Sequence, residues 1–172
     1  MANLIKGQSV PEVQGYKASS VNVWVVDDDT GFRELFSRTL NTDPGLSCSR
    51  QYPSAPLMLA ALQLLPPPDV IVLDFKMPGM TGLETLPRIR QLAPATAVLM
   101  FTTFFDMQLR QQALASGAQG YFRKTEPIEN LIAAIHAAPK DPPPAPVPNP
   151  PPPVKLAGID RLRKIFFGHN HQ

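Results

Sequence analysis

The sequence predicts an open α/β fold, a doubly wound sheet of five parallel strands with helices on both faces. From Val21 onward, short apolar runs alternate five times with helical patterns before residue 138, which is typical of βαβ units. The central runs are continuous and rich in β-branched residues, as expected of strands that are buried on both faces. Two of these runs end directly at an aspartate, on the edge where such sheets bind ligands.

The first strand and the first helix follow residue 20. Residues 23–26 are an uninterrupted apolar run, which predicts a central strand ending at Asp27. A helix capped by Thr30 comes next and ends at residues 43–45, which are Asp-Pro-Gly. Its apolar residues recur at helical spacing: Phe32, Leu35, Phe36 and Leu40.

The second strand has a different character. Over residues 46–52, apolar or large side chains alternate with serine and glutamine, so we expect an edge strand with one polar face. A helix from about residue 54 to 65 precedes three prolines. The apolar run 70–73 then predicts a second central strand, which ends at Asp74.

The third helix follows a loop at residues 75–81 and runs to about Leu92. Pro87 lies inside it, and because proline lacks a backbone donor we expect a late start or a kink there. The apolar run 97–101 predicts the fourth strand, with Thr102 at its end.

The last two helices enclose a short strand. The fourth helix covers about residues 106–116 and stops at Gly117. Residues 120–122 are the fifth strand, Lys124 follows directly, and a final helix with an apolar stripe ends near Ala138. The second strand is expected on the outside of the sheet.

The chain divides into four segments. Residues 1–20 are an N-terminal extension, and residues 21–138 are the globular domain. Residues 139–154 are a proline-rich linker, because ten of the 21 prolines fall there and favour polyproline II. Residues 155–172 are a short basic amphipathic helix or tail, which either folds back on the domain or binds a partner.

The composition indicates in which compartment the protein lies and which classes of partner it lacks. The formal net charge of +2 is too small to indicate a nucleic-acid or membrane partner. The single cysteine, Cys48, excludes an internal disulfide framework. The first 20 residues lack the apolar stretch of a signal peptide, and no segment reaches the roughly 18 apolar residues of a membrane span. We therefore expect a cytoplasmic protein without a membrane span.

Polar side chains follow four of the five predicted strands: Asp27 and Asp28, Asp74, Thr102 and Lys124. Because the carboxyl ends of parallel strands lie along one edge of a sheet, these groups should converge. Three carboxylates in one place repel one another unless a hard cation neutralises them, and Mg²⁺ is the natural candidate.

Mg²⁺ usually completes its coordination with phosphate oxygens, so this constellation predicts a phosphoryl ligand. Asp74 is best placed to act as a nucleophile that forms an aspartyl phosphate. Lys124 can pair with one phosphoryl oxygen, and the Thr102 hydroxyl can donate to another.

Over residues 21–138 the chain resembles the receiver domains of response regulators in bacterial two-component signalling. The run that ends in Asp27-Asp28 is similar to the family's acidic pair, and residues 72–82 are similar to its phosphoacceptor loop. Thr102-Thr103 and Lys124 complete the set. The resemblance implies a flavodoxin-like fold in three α/β/α layers, with the strand order 2-1-3-4-5.

The resemblance also implies a ligand set for the metal. Asp28, Asp74 and the backbone carbonyl of Lys76 would be direct Mg²⁺ ligands, with Asp27 acting mainly through water. Lys76 and Phe104 would flank the path of water to the phosphoryl group and influence its lifetime.

A switch follows from the same resemblance. Thr102 would move toward the phosphoryl group, and Tyr121, the switch aromatic, would turn inward into the space left behind. The face formed by helix four, strand five and helix five would then change shape as a population shift. The output would be a binding surface, and the only chemistry would be the chain's own phosphorylation and dephosphorylation, not catalysis on another substrate.

The resemblance implies a sensor histidine kinase or phosphotransfer protein as the phosphate donor. The recipient of the signal would be an unknown downstream protein, or a second copy of the chain through the same face. The residues around Thr102 and Lys124 are most similar to receivers that usually carry a C-terminal helix-turn-helix. Residues 155–172 are too short for that module, so we do not expect DNA binding.

Two alternatives remain. Haloacid-dehalogenase-like phosphatases also use a strand-end aspartate, Mg²⁺, a threonine or serine and a lysine, and Asp27-x-Asp29-Thr30 resembles their first motif. That reading needs a further acidic pair after the lysine, where only Glu126, Glu129 and Asp141 are available. The other alternative is a receiver-like scaffold that binds partners without phosphate.

Overall fold

The computed structural model describes residues 20–138. The predicted linker at 139–154, the predicted basic helix at 155–172 and almost all of the N-terminal extension lie outside the described residues. Strands and helices alternate five times, as the sequence predicts. The strands are β1 (Val21–Val26), β2 (Leu46–Tyr52), β3 (Val70–Leu73), β4 (Ala97–Thr102) and β5 (Gly120–Arg123). The helices are α1 (Thr30–Thr42), α2 (Ala55–Leu62), α3 (Gly82–Leu92), α4 (Met107–Ala115) and α5 (Ile128–Ala137).

All strands are parallel, and their order in the sheet is β2-β1-β3-β4-β5. The predicted strand order and the flavodoxin-like fold class are therefore confirmed. This order places β1 beside β3 at the centre, so the residues that follow these two strands are neighbours on the carboxyl edge.

Apolar side chains cover both faces of the sheet and create three layers. On one face, α1 and α5 contribute Phe36, Leu40, Leu131 and Ile135 to a buried cluster with β1, β3 and β4. On the other face, α2 and α3 pack Met58, Leu59, Leu86 and Ile89 against the sheet. From α4 only Ala113 is buried.

The start of α1 differs from the prediction. Asp29, not Thr30, is the N-cap, and its carboxylate accepts a hydrogen bond from the backbone N–H of Phe32 at 2.9 Å. Thr30 is already the first helical residue. Because either residue type can cap a helix, the sequence pattern alone did not separate the two positions.

The sequence placed α3 after the loop 75–81, with either a late start or a kink expected because of Pro87. The helix begins at Gly82, directly after that loop, and continues through Pro87, so of the two expected effects of Pro87 the late start does not occur. Thr81 and Glu84 form a capping box, in which the Thr81 hydroxyl accepts from the Glu84 N–H and the Glu84 carboxylate accepts from the Thr81 N–H. Two satisfied donors at the start of the helix offset the one backbone donor that Pro87 lacks.

The edge strand β2 contains a bulge that the sequence did not reveal. Val23 pairs with Cys48 and Trp24 with Arg50, so Ser49 is left without a partner in the ladder. The extra residue reverses the alternation of side chains. As a result, Leu46 and Tyr52 pack on opposite faces of the sheet, although strict alternation predicted one face for both.

None of the helices between residues 20 and 138 is both long enough and apolar enough to cross a bilayer.

Candidate functional site

The acidic pair follows β1, but its two members are in different surroundings. Asp27 is buried, and its backbone N–H donates to the carbonyl of Tyr52 at 3.1 Å. The Asp27 carboxylate accepts from the N–H of Asp29 at 3.0 Å. Asp28 is exposed. One carboxylate of the pair is therefore held inside the edge of the sheet, and the other faces solvent.

Asp74 lies beside this pair. Its backbone N–H donates to the Val26 carbonyl at 2.9 Å, which continues the ladder between β1 and β3 by one residue. One carboxylate oxygen from each of Asp27, Asp28 and Asp74 lies within 4.8 Å of the others. The structure thus brings the three predicted carboxylates together.

The donor set fits a divalent cation with a preference for oxygen ligands. Asp74 is 6% exposed, and its Oδ1 is buried without a hydrogen-bond partner. A buried acceptor without a partner costs free energy, and the positive charge of a cation held at the clustered carboxylates would offset that cost. Lys76 is exposed two residues beyond Asp74, and its backbone carbonyl stays a predicted ligand.

Close backbone packing holds the loop after Asp74. The N–H of Gly82 donates to the Phe75 carbonyl at 2.8 Å and closes the loop. A Cβ at Gly82 would lie 2.6 Å from the Asp74 carbonyl oxygen and 2.6 Å from the Met100 side chain. Glycine is required here because the start of α3 touches the backbone of the candidate phosphoacceptor.

Lys124 reaches the carboxylates from the end of β5. Its backbone N–H donates to the Thr102 carbonyl at 2.8 Å, which anchors it beside β4. Its Nζ lies 2.5 Å from Oδ2 of Asp27 and 3.7 Å from Oδ1 of Asp74. The same ammonium lies 4.1 Å from the ring centroid of Phe32.

The electrostatics of Asp74 reflect its burial. Burial raises the pKa of the Asp74 carboxyl above its ordinary value, and the negative charge of Asp27 raises it further. The Lys124 ammonium, a hydrogen bond with Thr102 and the backbone N–H of Phe75 lower this pKa, but burial prevails. Lys124 alone therefore does not compensate the cost of charging this carboxyl.

Thr102 and Tyr121 are linked through the backbone of one residue. Thr102 is fully buried, and its hydroxyl accepts from the Phe104 N–H at 3.1 Å. The Tyr121 hydroxyl donates to the Phe104 carbonyl at 2.7 Å, and its ring is buried. The two predicted switch residues therefore hold the β4–α4 loop at the same point.

Aromatic side chains surround the site to an extent that the sequence did not suggest. Phe75 and Phe104 stack with ring centroids 6.0 Å apart and planes 11° apart. Phe32, which the sequence indicated only as part of the apolar pattern of the first helix, packs against the core and also contacts Lys124. The sequence did contain one signal for this contact. Phe32 lies in the first helical turn after the acidic pair, and that turn must lie at the carboxyl edge of the sheet.

Neither described acidic residue after Lys124 joins the site. Glu126 pairs with Arg123 at 2.7 Å, and Glu129 is exposed in the first turn of α5. Asp141 lies outside the described residues. Within residues 20–138, the acidic pair that a haloacid-dehalogenase-like phosphatase requires therefore has no counterpart, and that alternative gains no support.

Similar proteins share this region of the chain. It is 36% identical over 115 residues to the DNA-binding transcriptional regulator NtrC of Klebsiella pneumoniae. The aligned residues cover 67% of this chain and 24% of that protein. It is 31% identical over 118 residues to the probable transcriptional regulatory protein SgaR of Hyphomicrobium methylovorum, covering 69% of this chain and 56% of that protein.

A solved structure has the same fold. The signal receiver domain of the putative response regulator NarL from Mycobacterium tuberculosis superposes with a TM-score of 0.63 at 29% identity. The match covers 71% of this chain and 98% of that domain. The chain spans only 24% of the length of the NtrC of Klebsiella pneumoniae, so the match concerns one domain of such regulators.

The family model of the response regulator receiver domain matches residues 23–136. These residues extend from β1 into α5, and they include every residue of the site described above. From β1 through α5, this chain belongs to the response regulator receiver family.

Proposed function

We propose that this receiver domain accepts a phosphoryl group on Asp74 from a phosphohistidine of a sensor histidine kinase or phosphotransfer protein. The observation that carries the proposal is the state of Asp74 Oδ1, a buried oxygen without a hydrogen-bond partner that faces the Lys124 ammonium at 3.7 Å. In the transfer, this oxygen forms a bond to phosphorus while the phosphorus–nitrogen bond breaks, and the leaving imidazole keeps the bonding electron pair.

Mg²⁺ is the proposed cofactor. Asp28, Asp74 and the backbone carbonyl of Lys76 would hold it directly, with Asp27 acting mainly through water. The close approach of three carboxylate oxygens supports this assignment. When bound, the ion supplies positive charge to the carboxylates and to the phosphoryl oxygens.

Lys124 and Thr102 are the proposed binding partners of the phosphoryl group. Lys124 already lies near Asp74, and its ammonium can pair with one phosphoryl oxygen. Thr102 is buried at the end of β4, and its hydroxyl can donate to another. The chemistry that we propose for the domain is limited to its own phosphorylation and dephosphorylation.

We propose that Thr102 and Tyr121 transmit phosphorylation to the face formed by α4, β5 and α5. Both bond to the backbone of Phe104, so a movement of the Thr102 hydroxyl toward a phosphoryl group would alter that loop. The following helix, α4, buries only Ala113 and has few contacts that resist a shift. Phosphorylation would then select a conformation that the domain already samples.

The proposed output is a protein contact on that face. Phe104 is 50% exposed, Phe105 44% and Met107 57%, so three large apolar side chains face solvent at one end of it. A patch of this kind is typical of protein contact sites. The partner is a downstream protein or a second copy of the chain.

Because the phosphate donors are cytoplasmic, we place the protein in the cytoplasm, and we propose no contact with DNA.

The test is phosphorylation by a small donor. The full chain is incubated with Mg²⁺ and acetyl phosphate, and the product is analysed by intact-mass spectrometry before and after treatment with base. We expect one base-labile phosphoryl group on the wild type and none on Asp74→Asn. The matched control is Asp69→Asn, an exposed carboxyl at the opposite end of the same strand, which should be phosphorylated normally.

Two results would contradict the proposal. A correctly folded wild type that gains no phosphoryl group would favour the phosphate-independent scaffold. A phosphoryl group that remains on Asp74→Asn would place the acceptor elsewhere.

A further inference from the structure

The ammonium of Lys124 has three neighbours at the candidate site. Two are carboxylates, Asp27 at 2.5 Å and Asp74 at 3.7 Å. The third is the face of the Phe32 ring, whose centroid lies 4.1 Å from Nζ. A cation over an aromatic face at this distance is attracted by the quadrupole of the ring.

Several contacts hold the Phe32 ring in this place. The backbone N–H of Phe32 donates to the N-cap carboxylate of Asp29 at 2.9 Å, which positions the first turn of α1. Its ring lies 5.7 Å from the ring of Phe36 and 5.7 Å from that of Phe101. The rings of Phe36 and Phe101 therefore hold the Phe32 ring in place, and one face of the Phe32 ring is directed toward Lys124.

We propose that Phe32 is a positioning residue for Lys124 during phosphoryl transfer, an inference that rests on the function proposed above. Asp27 would act on the cation through water and Asp74 would bind both the cation and the phosphoryl group, so each would then offer less negative charge to Lys124. The Phe32 ring takes part in neither task, so its attraction for the ammonium is unchanged. Phe32 would thus keep Lys124 over the site when its carboxylate partners are engaged.

A purely structural role for Phe32 makes a different prediction, and Phe36 allows the two to be separated. Phe36 belongs to the same helix and the same aromatic cluster, and it is 2% exposed. Phe32 is only partly buried. If packing were the whole role of these rings, loss of the Phe36 ring would do at least as much damage as loss of the Phe32 ring.

The first measurement compares the rates of phosphorylation of the full-length variants by acetyl phosphate in the presence of Mg²⁺. Phe32→Leu keeps an apolar side chain but removes the ring, and we expect the rate to fall about three- to thirtyfold, as for the loss of a cation–π contact. Phe32→Trp restores an aromatic face and should recover most of the rate. Phe36→Leu should lower the midpoint of thermal unfolding but leave the rate near that of the wild type.

The second measurement requires neither metal nor phosphate. In the wild type, the ring current of Phe32 should displace the NMR signals of the Lys124 ε-methylene protons upfield, and Lys124→Arg identifies these signals. Phe32→Leu should abolish the displacement, and Phe36→Leu should preserve it.

The outcomes separate this inference from the proposed function. A wild type that takes no phosphate overturns both. A wild type that is phosphorylated while Phe32→Leu reacts at the same rate overturns this inference alone. The same holds if Phe36→Leu slows the reaction as much as Phe32→Leu does, or if the Lys124 signals are not displaced in the wild type.

Discussion

At the residue scale, the main feature is a carboxyl whose surroundings oppose its charge. Burial raises the pKa of Asp74 from its ordinary value of 3.8, and the nearby charge of Asp27 acts in the same direction. A raised pKa in the folded state means that the protonated form stabilises the fold. That contribution is complete below the ordinary pKa and is lost as the pH rises through the raised pKa. At neutral pH the charged Asp74 therefore destabilises the metal-free fold.

Because the charged Asp74 destabilises the metal-free fold, Asp74→Asn should stabilise it. Without Mg²⁺ at pH 7, the variant should have a higher midpoint of thermal unfolding than the wild type, because asparagine has the same size but no charge to bury. The difference should shrink as the pH falls toward 3.8 and below, where the wild-type carboxyl is protonated. Unfolding curves recorded across this pH range test the prediction.

The matched control is Glu34→Gln, which removes one negative charge from an exposed position on α1. It should change the unfolding midpoint little at any pH. A variant Asp74→Asn that is less stable than the wild type at pH 7 would show that the hydrogen bonds of the carboxylate outweigh its burial.

Two glycines at helix starts lead to opposite predictions. A Cβ at Gly82 would overlap the Asp74 carbonyl oxygen, so Gly82→Ala should lower the free energy of unfolding by about 1–3 kcal/mol and slow phosphorylation. A Cβ at Gly31 would have its nearest neighbour, the Asp29 carboxylate, at 3.5 Å. Gly31→Ala should therefore stabilise the protein by about 0.4–1 kcal/mol, since it restricts the unfolded chain without strain. Denaturant unfolding of both variants measures the difference.

One result of the denaturant unfolding would contradict the prediction for Gly82. If Gly82→Ala unfolds at the wild-type denaturant concentration, the contact between the start of α3 and the Asp74 backbone is not a constraint on the site.

At the scale of elements, α4 is held differently from the other helices. Among its residues only Ala113 is buried, so little apolar packing secures it to the sheet. Its N-terminus depends on Asp106, whose carboxylate accepts from the N–H groups of Gln108 and Leu109 at 2.7 and 3.1 Å. We infer that the cap is a large part of what keeps this helix in place next to the β4–α4 loop.

Removal of that cap should loosen α4 selectively. Asp106→Ala should cost about 1 kcal/mol and increase amide hydrogen exchange in α4 more than in α3, where the Thr81–Glu84 capping box stays intact. Asp106→Asn keeps a capping oxygen and should resemble the wild type. Equal exchange in α4 of all three proteins would mean that packing, not the cap, holds the helix.

At the scale of the whole molecule, a cation at the carboxyl edge would link strands that the sheet holds side by side. Mg²⁺ that binds only the folded protein should raise the free energy of unfolding by about 2.7 kcal/mol at a concentration one hundred times its dissociation constant. Asp28→Asn should weaken this effect, because it removes one of the clustered carboxylates. Chelation of the metal should return the wild type to its lower midpoint.

The exposed carboxyl Asp69, at the other end of β3, supplies the comparison for this measurement. Asp69→Asn should respond to Mg²⁺ as the wild type does. If Mg²⁺ stabilises the wild type and Asp28→Asn equally, the ion binds somewhere other than the clustered carboxylates.

Much of the fold and of the site was predictable because the responsible signals are local. Continuous apolar runs identify central strands, and the aspartates directly after two of them must meet at one edge of a parallel sheet. The positions of Thr102 and Lys124 at strand ends followed in the same way, and their roles toward a phosphoryl group are part of the proposed function. The N-cap of α1 was misplaced by one residue because Asp29 and Thr30 are both suitable caps.

The sequence by itself determined the order of elements, the edge on which the polar groups meet and the aspartate, Asp74, that we propose as the phosphoryl acceptor. Only the tertiary structure decided the bulge at Ser49, the contact of Phe32 with Lys124 and the shared bonds of Thr102 and Tyr121 to Phe104. The physical reason is distance along the chain. Periodicity reports which face of an element is buried, whereas these features depend on side chains that come from separate elements and meet only after the sheet has formed.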